Sequence, residues 1–260
     1  MKWNPEKVEA KIGIRFKDRS LLRLALTHRS YPQNTGDPKK HNERLEFLGD
    51  AILGVIVADY LYHHCPYFEV GRLSQLRDQL VRNSMLVKFA NRVGLRECIL
   101  LGQSEALNCV REKIKQPLAG VFEALLGAIY LERGFADARD WLIKQFIHPV
   151  LQPHLKNLKT RKQPKEQLEF VGDPIFKAIA ATYVYLYFPR VDESSLTDLR
   201  QQLVCRQNQV EFERQIKSGE FILPAADTFK ALLGAIYLRH SFLDTYNWFV
   251  NRFISQCKIG

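Results

Sequence analysis

Three blocks of this chain occur twice in the same order, and that recurrence constrains the fold more than any other feature. Glu43-Arg-Leu-Glu-Phe-Leu-Gly-Asp50 returns as Glu166-Gln-Leu-Glu-Phe-Val-Gly-Asp173. Leu73-Ser-Gln-Leu-Arg-Asp-Gln-Leu-Val81 returns as Leu196-Thr-Asp-Leu-Arg-Gln-Gln-Leu-Val204, and Ala124 to Leu131 returns letter for letter as Ala231 to Leu238. Asp50 and Arg77 stand 27 residues apart, as do Asp173 and Arg200. Arg77 to Glu123 is 46 residues and Arg200 to Lys230 only 30, so the second copy has lost 16 residues there. It also has no counterpart of the first 40 residues. The expected organisation is a first domain over 1–147, a connection over 148–165 and a trimmed second domain over 166–260.

The connection holds Pro149, Pro153 and Pro164 with Lys156, Lys159, Arg161, Lys162 and Lys165. Such a segment is not expected to continue a buried helix, and it reads as a basic surface linker, solvated or touching phosphate. The domains themselves read as all-α. Glu43 to Tyr62, Leu73 to Val93 and Leu118 to Leu131 each carry helical periodicity, with Pro117 fitting a start and Gly94 a stop. No alternating strand pattern with hairpin signals is present.

At 260 residues there is enough chain for two cores. A hydrophobic fraction of 46% and a charged fraction of 25% are those of an ordinary soluble protein, while a net charge of +10 points to a polyanionic partner. Cys65, Cys98, Cys109, Cys205 and Cys257 are scattered with no metal-finger spacing, so they read as reduced packing residues. The N-terminus lacks the apolar core of a signal peptide, and the longest apolar stretch, Ala51 to Tyr62, is too short to span a bilayer and contains Asp59. A cytoplasmic protein, or one of an organellar stroma or matrix, is expected, with no membrane partner.

Glu43, Glu46 and Asp50 fall at i, i+3 and i+7, within a stripe about 60° wide on one helical face. Carboxylates gathered beside Phe47, Leu48 and Ile52 are costly to desolvate without a cation, and hard oxygen donors suit Mg²⁺ or Mn²⁺. One copy alone reads rather as an exposed acidic face paired with Arg44 or with lysines elsewhere. Its recurrence as Glu166, Glu169 and Asp173 favours a metal site.

His41-Asn-Glu-Arg-Leu-Glu-Phe-Leu-Gly-Asp50 resembles the signature helix of the ribonuclease III family. Leu26-Thr-His-Arg-Ser-Tyr31, Gly71-Arg-Leu-Ser74 running on to Arg77, Leu100-Leu-Gly-Gln-Ser-Glu105 and Val121 to Tyr130 resemble its further motifs in family order. The likeness covers about Trp3 to Phe146 and, more loosely, about Glu166 to Phe253. It implies an all-helical endonuclease that works as a dimer on double-stranded RNA, with Mg²⁺ (Mn²⁺ as substitute) used to leave 5′-phosphate and 3′-hydroxyl ends. Two copies in one chain then imply an intramolecular pseudo-dimer, a monomer in solution, with Phe47 and Phe170 each plugging into the other copy.

The family site uses four carboxylates, and each copy departs from it once. The first has Glu46, Asp50, Gly120 and Glu123; the second has Glu169, Asp173, Asp227 and Lys230. Gly120 is expected to leave a gap that water fills. Lys230 puts a fixed positive charge where the cation belongs, and like charges about 4 Å apart repel by several kcal/mol in a half-buried site. Pro174 is further expected to kink the second signature helix. The resulting expectation is one catalytic and metal centre on Glu46, Asp50 and Glu123, with Glu43 as an auxiliary acid and a degenerate second centre, so that one strand is nicked. The alternative is an inactive protein of the same fold that only holds double-stranded RNA, such as ribosomal RNA.

Only 22 residues follow Leu238, so no separate double-stranded-RNA-binding domain is expected. Affinity then falls to basic surface residues, with Arg72, Arg77, Arg82, Arg111, Lys113 and Lys115 as candidates, and is expected to weaken steeply with salt.

Overall fold

The computed structural model describes residues 3–31, 37, 39–103, 116–155, 166–217 and 229–254. The first half contains α1 (Pro5–Ile12), α2 (Arg19–Ala25), α3 (Glu43–His64), α4 (Val70–Val81), α5 (Asn83–Arg92), α6 (Gln116–Arg133), α7 (Phe135–Leu142) and α8 (His148–Leu155). The second contains α9 (Glu166–Tyr187), α10 (Glu193–Leu203), α11 (Arg206–Lys217), α12 (Phe229–Arg239) and α13 (Phe242–Arg252). Among the described residues there is no strand, only an isolated bridge between Thr27 and Leu100.

The two long helices organise everything else. α3 is buried on nearly every side, as its almost uninterrupted apolar run from Ala51 to Ala58 requires. It packs on α6 and α4, α9 packs on α12 and α10, and α3 packs along α9. Each half has an aromatic nucleus, Phe89, Phe122, Trp141 and Phe146 in the first and Phe176, Phe212, Phe229 and Phe249 in the second. Apolar residues of both halves join in one continuous core.

Glycines set the closest helix crossings. A Cβ at Gly49 would lie inside the Glu123 backbone carbonyl, and one at Gly127 would press on the Leu45 carbonyl, so α3 and α6 touch backbone to backbone. Gly172 against Lys230 and Gly234 against Leu168 repeat this at α9 and α12. Only residues without a side chain allow such an approach.

Two expectations change. Leu73 to Val93 is two helices, because Arg82 is extended (φ −66°, ψ 145°). The bend lets Leu73, Leu76 and Leu80 of α4 face α3 while Leu86, Phe89 and Ala90 of α5 reach α6, which one straight helix cannot do. Gly94 closes α5 in the left-handed region (φ 65°), as its position predicts. His148 to Leu155 is helical: a π-type turn over Ile143–Ile147 carries the chain into it, and the Tyr60 hydroxyl meets His148 Nδ1 at 2.7 Å while Leu151 is buried. Residues 156–165, the remainder of the basic connection, lie outside the described residues. α9 carries Pro174 inside a single helix that continues to Tyr187.

The contacts between the halves are reciprocal. Arg44, only 6% exposed, donates to the Val191 carbonyl and, at 3.0 Å, to the Tyr185 carbonyl. Its counterpart Gln167 donates to the Phe68 and Pro66 carbonyls at 2.9 and 3.2 Å. The Arg200 guanidinium lies 5.0 Å over the Phe47 ring, and Arg77 lies 5.5 Å over Phe170.

Candidate active site

The first turns of α3 carry Glu46 and Asp50, and the Gly49–Gly127 crossing sets Glu123 of α6 beside them. Glu123 is 9% exposed and, among the described residues, has no hydrogen bond or ion pair. Burial, reinforced by the charges of Asp50 and Glu46, pushes its carboxyl up to about 9. Burial likewise pushes Glu46 up to about 7, with Glu43, Glu193 and Asp50 adding repulsion and Arg29 opposing it. Asp50 keeps 58% of its side-chain surface open, yet its surroundings still raise it, against the pull of Arg200 and Lys177. Arg200 stands 4.0 Å from Asp50.

Asp50 and Glu46 oppose the ionisation of the buried, unpaired Glu123, Asp50 opposes that of Glu46, and hard oxygen donors of this kind are the type that a divalent cation takes. Among the described residues no three His, Cys, Asp or Glu side chains converge closely enough to hold a metal ion in this arrangement. The gap expected at Gly120 is occupied by Glu46: a Cβ there would collide with both carboxylate oxygens of Glu46. The absence of a side chain at Gly120 thus leaves room for the acid on the neighbouring helix. Glu43 turns to other partners, with Arg29 at 3.2 Å and His41 at 3.7 Å.

The second centre is neutralised from within. Asp173 lies 2.7 Å from Lys230 and 2.7 Å from Lys177. Burial opposes ionisation, but the two lysines hold its carboxyl below the usual range. Glu169 is exposed, and Asp227 lies outside the described residues. Between the two aspartates is a cleft of about 140 Å³ lined by Gly54, Arg77, Pro174, Lys177 and Arg200.

Sequence reasoning missed the action of Lys177 and Arg200 of the second half on Asp50, and left Glu193, which acts on Glu46, as an open auxiliary candidate beside Glu105. The signal for Lys177 was available, since extending the repeat four residues past Asp173 sets it opposite Gly54. Of the surface candidates, Arg72 is exposed and bonds Gln75 at 3.3 Å, and Arg82 is exposed at the α4–α5 bend. Arg77 is half-buried at the cleft, while Arg111, Lys113 and Lys115 lie outside the described residues.

The profile described as ribonuclease-III-like matches residues 18–150, half of the chain, and the ribonuclease III domain profile matches residues 166–224. The chain belongs to the ribonuclease III family. Ribonuclease 3 of Protochlamydia amoebophila is 41% identical over 175 residues, covering 66% of this chain and 72% of that protein. Ribonuclease 3 of Pseudomonas aeruginosa is 42% identical over 166 residues, covering 63% and 68%. Among solved structures, the nuclease domain of ribonuclease III from Campylobacter jejuni aligns at TM-score 0.51 with 38% identity, over 56% of this chain and 97% of that one. A second structure of that domain gives TM-score 0.50 and 36% identity, over 61% and 100%. This family member is all-α, and no described helix is long and apolar enough to cross a membrane.

Proposed function

We propose that this protein is a Mg²⁺-dependent endoribonuclease, accepting Mn²⁺, that hydrolyses phosphodiester bonds of double-stranded or structured RNA to 5′-phosphate and 3′-hydroxyl ends. Its working centre is Glu46, Asp50 and Glu123 of a first domain over 1–147. A second domain over 166–260 serves as its partner in an intramolecular pseudo-dimer, with Phe47 and Phe170 at the contact. The observation that carries the proposal is the contrast at one helix position: Glu123 is buried without a counter-charge, whereas Lys230 is already paired with Asp173.

A bound divalent cation would activate water and stabilise the leaving oxygen of an in-line displacement. The protein's part is to supply three carboxylates, to hold them by the Gly49–Gly127 crossing, and to moderate Asp50 with Arg200 and Lys177. Glu169, Asp173, Asp227 and Lys230 form the degenerate centre, which scaffolds without cutting. Arg72, Arg77, Arg82, Arg111, Lys113 and Lys115 are the proposed phosphate contacts.

One centre means one cut. A duplex labelled on both strands is expected to yield a nick in one strand per binding event, and paired cuts from a single event would sink the single-centre proposal. The crowding of Glu46 onto Gly120 favours a second reading, a duplex-RNA-binding protein without activity. Retained binding, with no metal-dependent product and no difference on Glu46→Ala, would decide for it.

A further inference from the structure

The duplicated scaffold contains its own control, and at one end of the α3–α9 contact the two sides differ. Tyr130 of α6 meets Thr182 of α9 at 3.5 Å, and in the mirrored arrangement Tyr237 of α12 bonds Asp59 of α3. Phe135 and Phe242, equivalent residues from the two halves, stack across the junction at 4.7 Å. On one side of this junction tyrosines gather, with Tyr183 stacked on Tyr187 at 4.4 Å and Tyr246 crowded by Tyr187, Tyr130 and Tyr183. On the other side a cleft of about 440 Å³ opens. That volume lies within the roughly 300–1,000 Å³ of small-molecule sites.

Three replacements distinguish the two sides. Where the second half has Thr182, Leu186 and Tyr246, the first has Asp59, His63 and Arg139. All three of the latter line the cleft, together with Arg133 and His240. Its lining carboxylate, Asp59, is 8% exposed and committed to Tyr237 and to His63, 3.3 Å away. His63 Nδ1 also lies 2.9 Å from the Asp59 carbonyl, so this nitrogen is occupied and Nε2 remains for a ligand. The hydrogen bond to Asp59 raises the imidazole above its ordinary range, favouring the cation. Arg139 and Arg133 pair with Asp140 and Asp137 at 3.1 and 3.9 Å on the open surface. Such pairs are weak, and a guanidinium has five donors, so both retain capacity for an anion. Leu238 and the 63%-exposed Leu243 supply an apolar wall.

We propose that this cleft binds a small phosphorylated ligand of nucleotide size, its phosphate held by Arg133, Arg139 and His63 Nε2 and its apolar part against Leu238 and Leu243. The site is separate from the catalytic centre. Asp59 lies nine residues beyond Asp50 on α3, about two and a half turns away and on the opposite face of the helix. Because both halves line the cleft, an occupant bridges them.

Calorimetric titration of the full chain with ADP, pyrophosphate and adenosine tests this. ADP is expected to bind at least about tenfold more tightly than adenosine, the value of one charged hydrogen bond or more, and to raise the melting temperature. The double variant His63→Leu, Arg139→Tyr installs the second half's own residues and is expected to weaken ADP about tenfold or more while duplex cleavage stays unchanged. Arg139→Gln alone is the milder variant should the double one not fold, with the same direction expected. Pyrophosphate is expected to bind, but less tightly than ADP, which also has the apolar wall. ADP no tighter than adenosine, affinity indifferent to both variants, or ADP displaced by duplex RNA would each overturn the proposal.

Discussion

Asp50 and Asp173 occupy the same place on two copies of one helix, and their surroundings have been driven in opposite directions. Asp50 sits with two acids, one buried and unpaired, and its nearest described cation is 4.0 Å away on the other half of the chain. Asp173 is clasped by two lysines at 2.7 Å, one from its own helix and one from α12. Two replacements, Gly54 by Lys177 and Glu123 by Lys230, separate a cluster of acids without a close counter-charge from an aspartate that is paired within its own half. The second half has not fallen silent, however. Lys177, Arg200 and Glu193 all act on the charges of the first centre.

The largest expected effect breaks the comparison at its root. Glu123→Gln removes the unpaired acid and is expected to reduce single-turnover cleavage of a labelled duplex by about three orders of magnitude, on the scale of losing a key group that stabilises the transition state. Lys230→Ala is expected to leave the rate within about twofold. Comparable losses from the two variants would mean that the halves share one catalytic task.

Next come the crossings that both halves share. Gly49→Ala and Gly172→Ala each force a methyl into a backbone carbonyl, and each is expected to cost about 3 kcal/mol or more in denaturant unfolding. Only Gly49→Ala is expected to lower cleavage in the fraction that remains folded, since it alone shifts Glu123. Equal effects on cleavage would place a working centre in both halves.

These crossings also show which parts of the structure the sequence exposes. The repeat, the long helices and the Gly94 stop are local or periodic, so they can be read directly. The bend at Arg82 and the helix from His148 to Leu155 are settled by what lies across from them, namely α6 and the Tyr60 hydroxyl. Within the site, Glu46, Asp50 and Glu123 are legible as acids on matched helices, and Lys230 as a misplaced charge. The occupation of the Gly120 space by Glu46 is a matter of packing and leaves no trace in either residue's own neighbourhood. Arg200 comes from the other half, where its match to Arg77 predicts its existence but not the centre that it faces, and Glu193 stands opposite Val70, so the repeat does not announce it.

The interface offers a smaller contrast. Arg44 and Gln167 make equivalent hydrogen bonds across the halves, but only Arg44 brings a charge, and burial pulls its guanidinium below the usual range. Arg44→Ala strands the Val191 and Tyr185 carbonyls and is expected to cost about 2–3 kcal/mol, against about 1 kcal/mol for Gln167→Ala. Urea unfolding of both variants checks the difference, and equal losses would show that the buried charge contributes nothing beyond its hydrogen bonds.

The smallest expected effect separates the two centres by pH. Glu123 and Glu46 are raised to about 9 and about 7, so between their unfolded value near 4.5 and those values the metal-free folded state binds more protons than the unfolded one. Stability from these groups is therefore greatest in acid and declines as pH climbs towards 9. Asp173 is shifted the other way: its contribution is present above about 3.8 and is lost as pH falls below that. Melting temperatures of the metal-free chain are expected to fall by a few degrees from pH 6 to 9, with Mg²⁺ restoring most at the alkaline end, where it stabilises the ionised carboxylates. Glu123→Gln should flatten that decline, and Lys230→Ala should leave it in place. A decline that survives Glu123→Gln would assign the titration elsewhere and remove the charge contrast between the two centres.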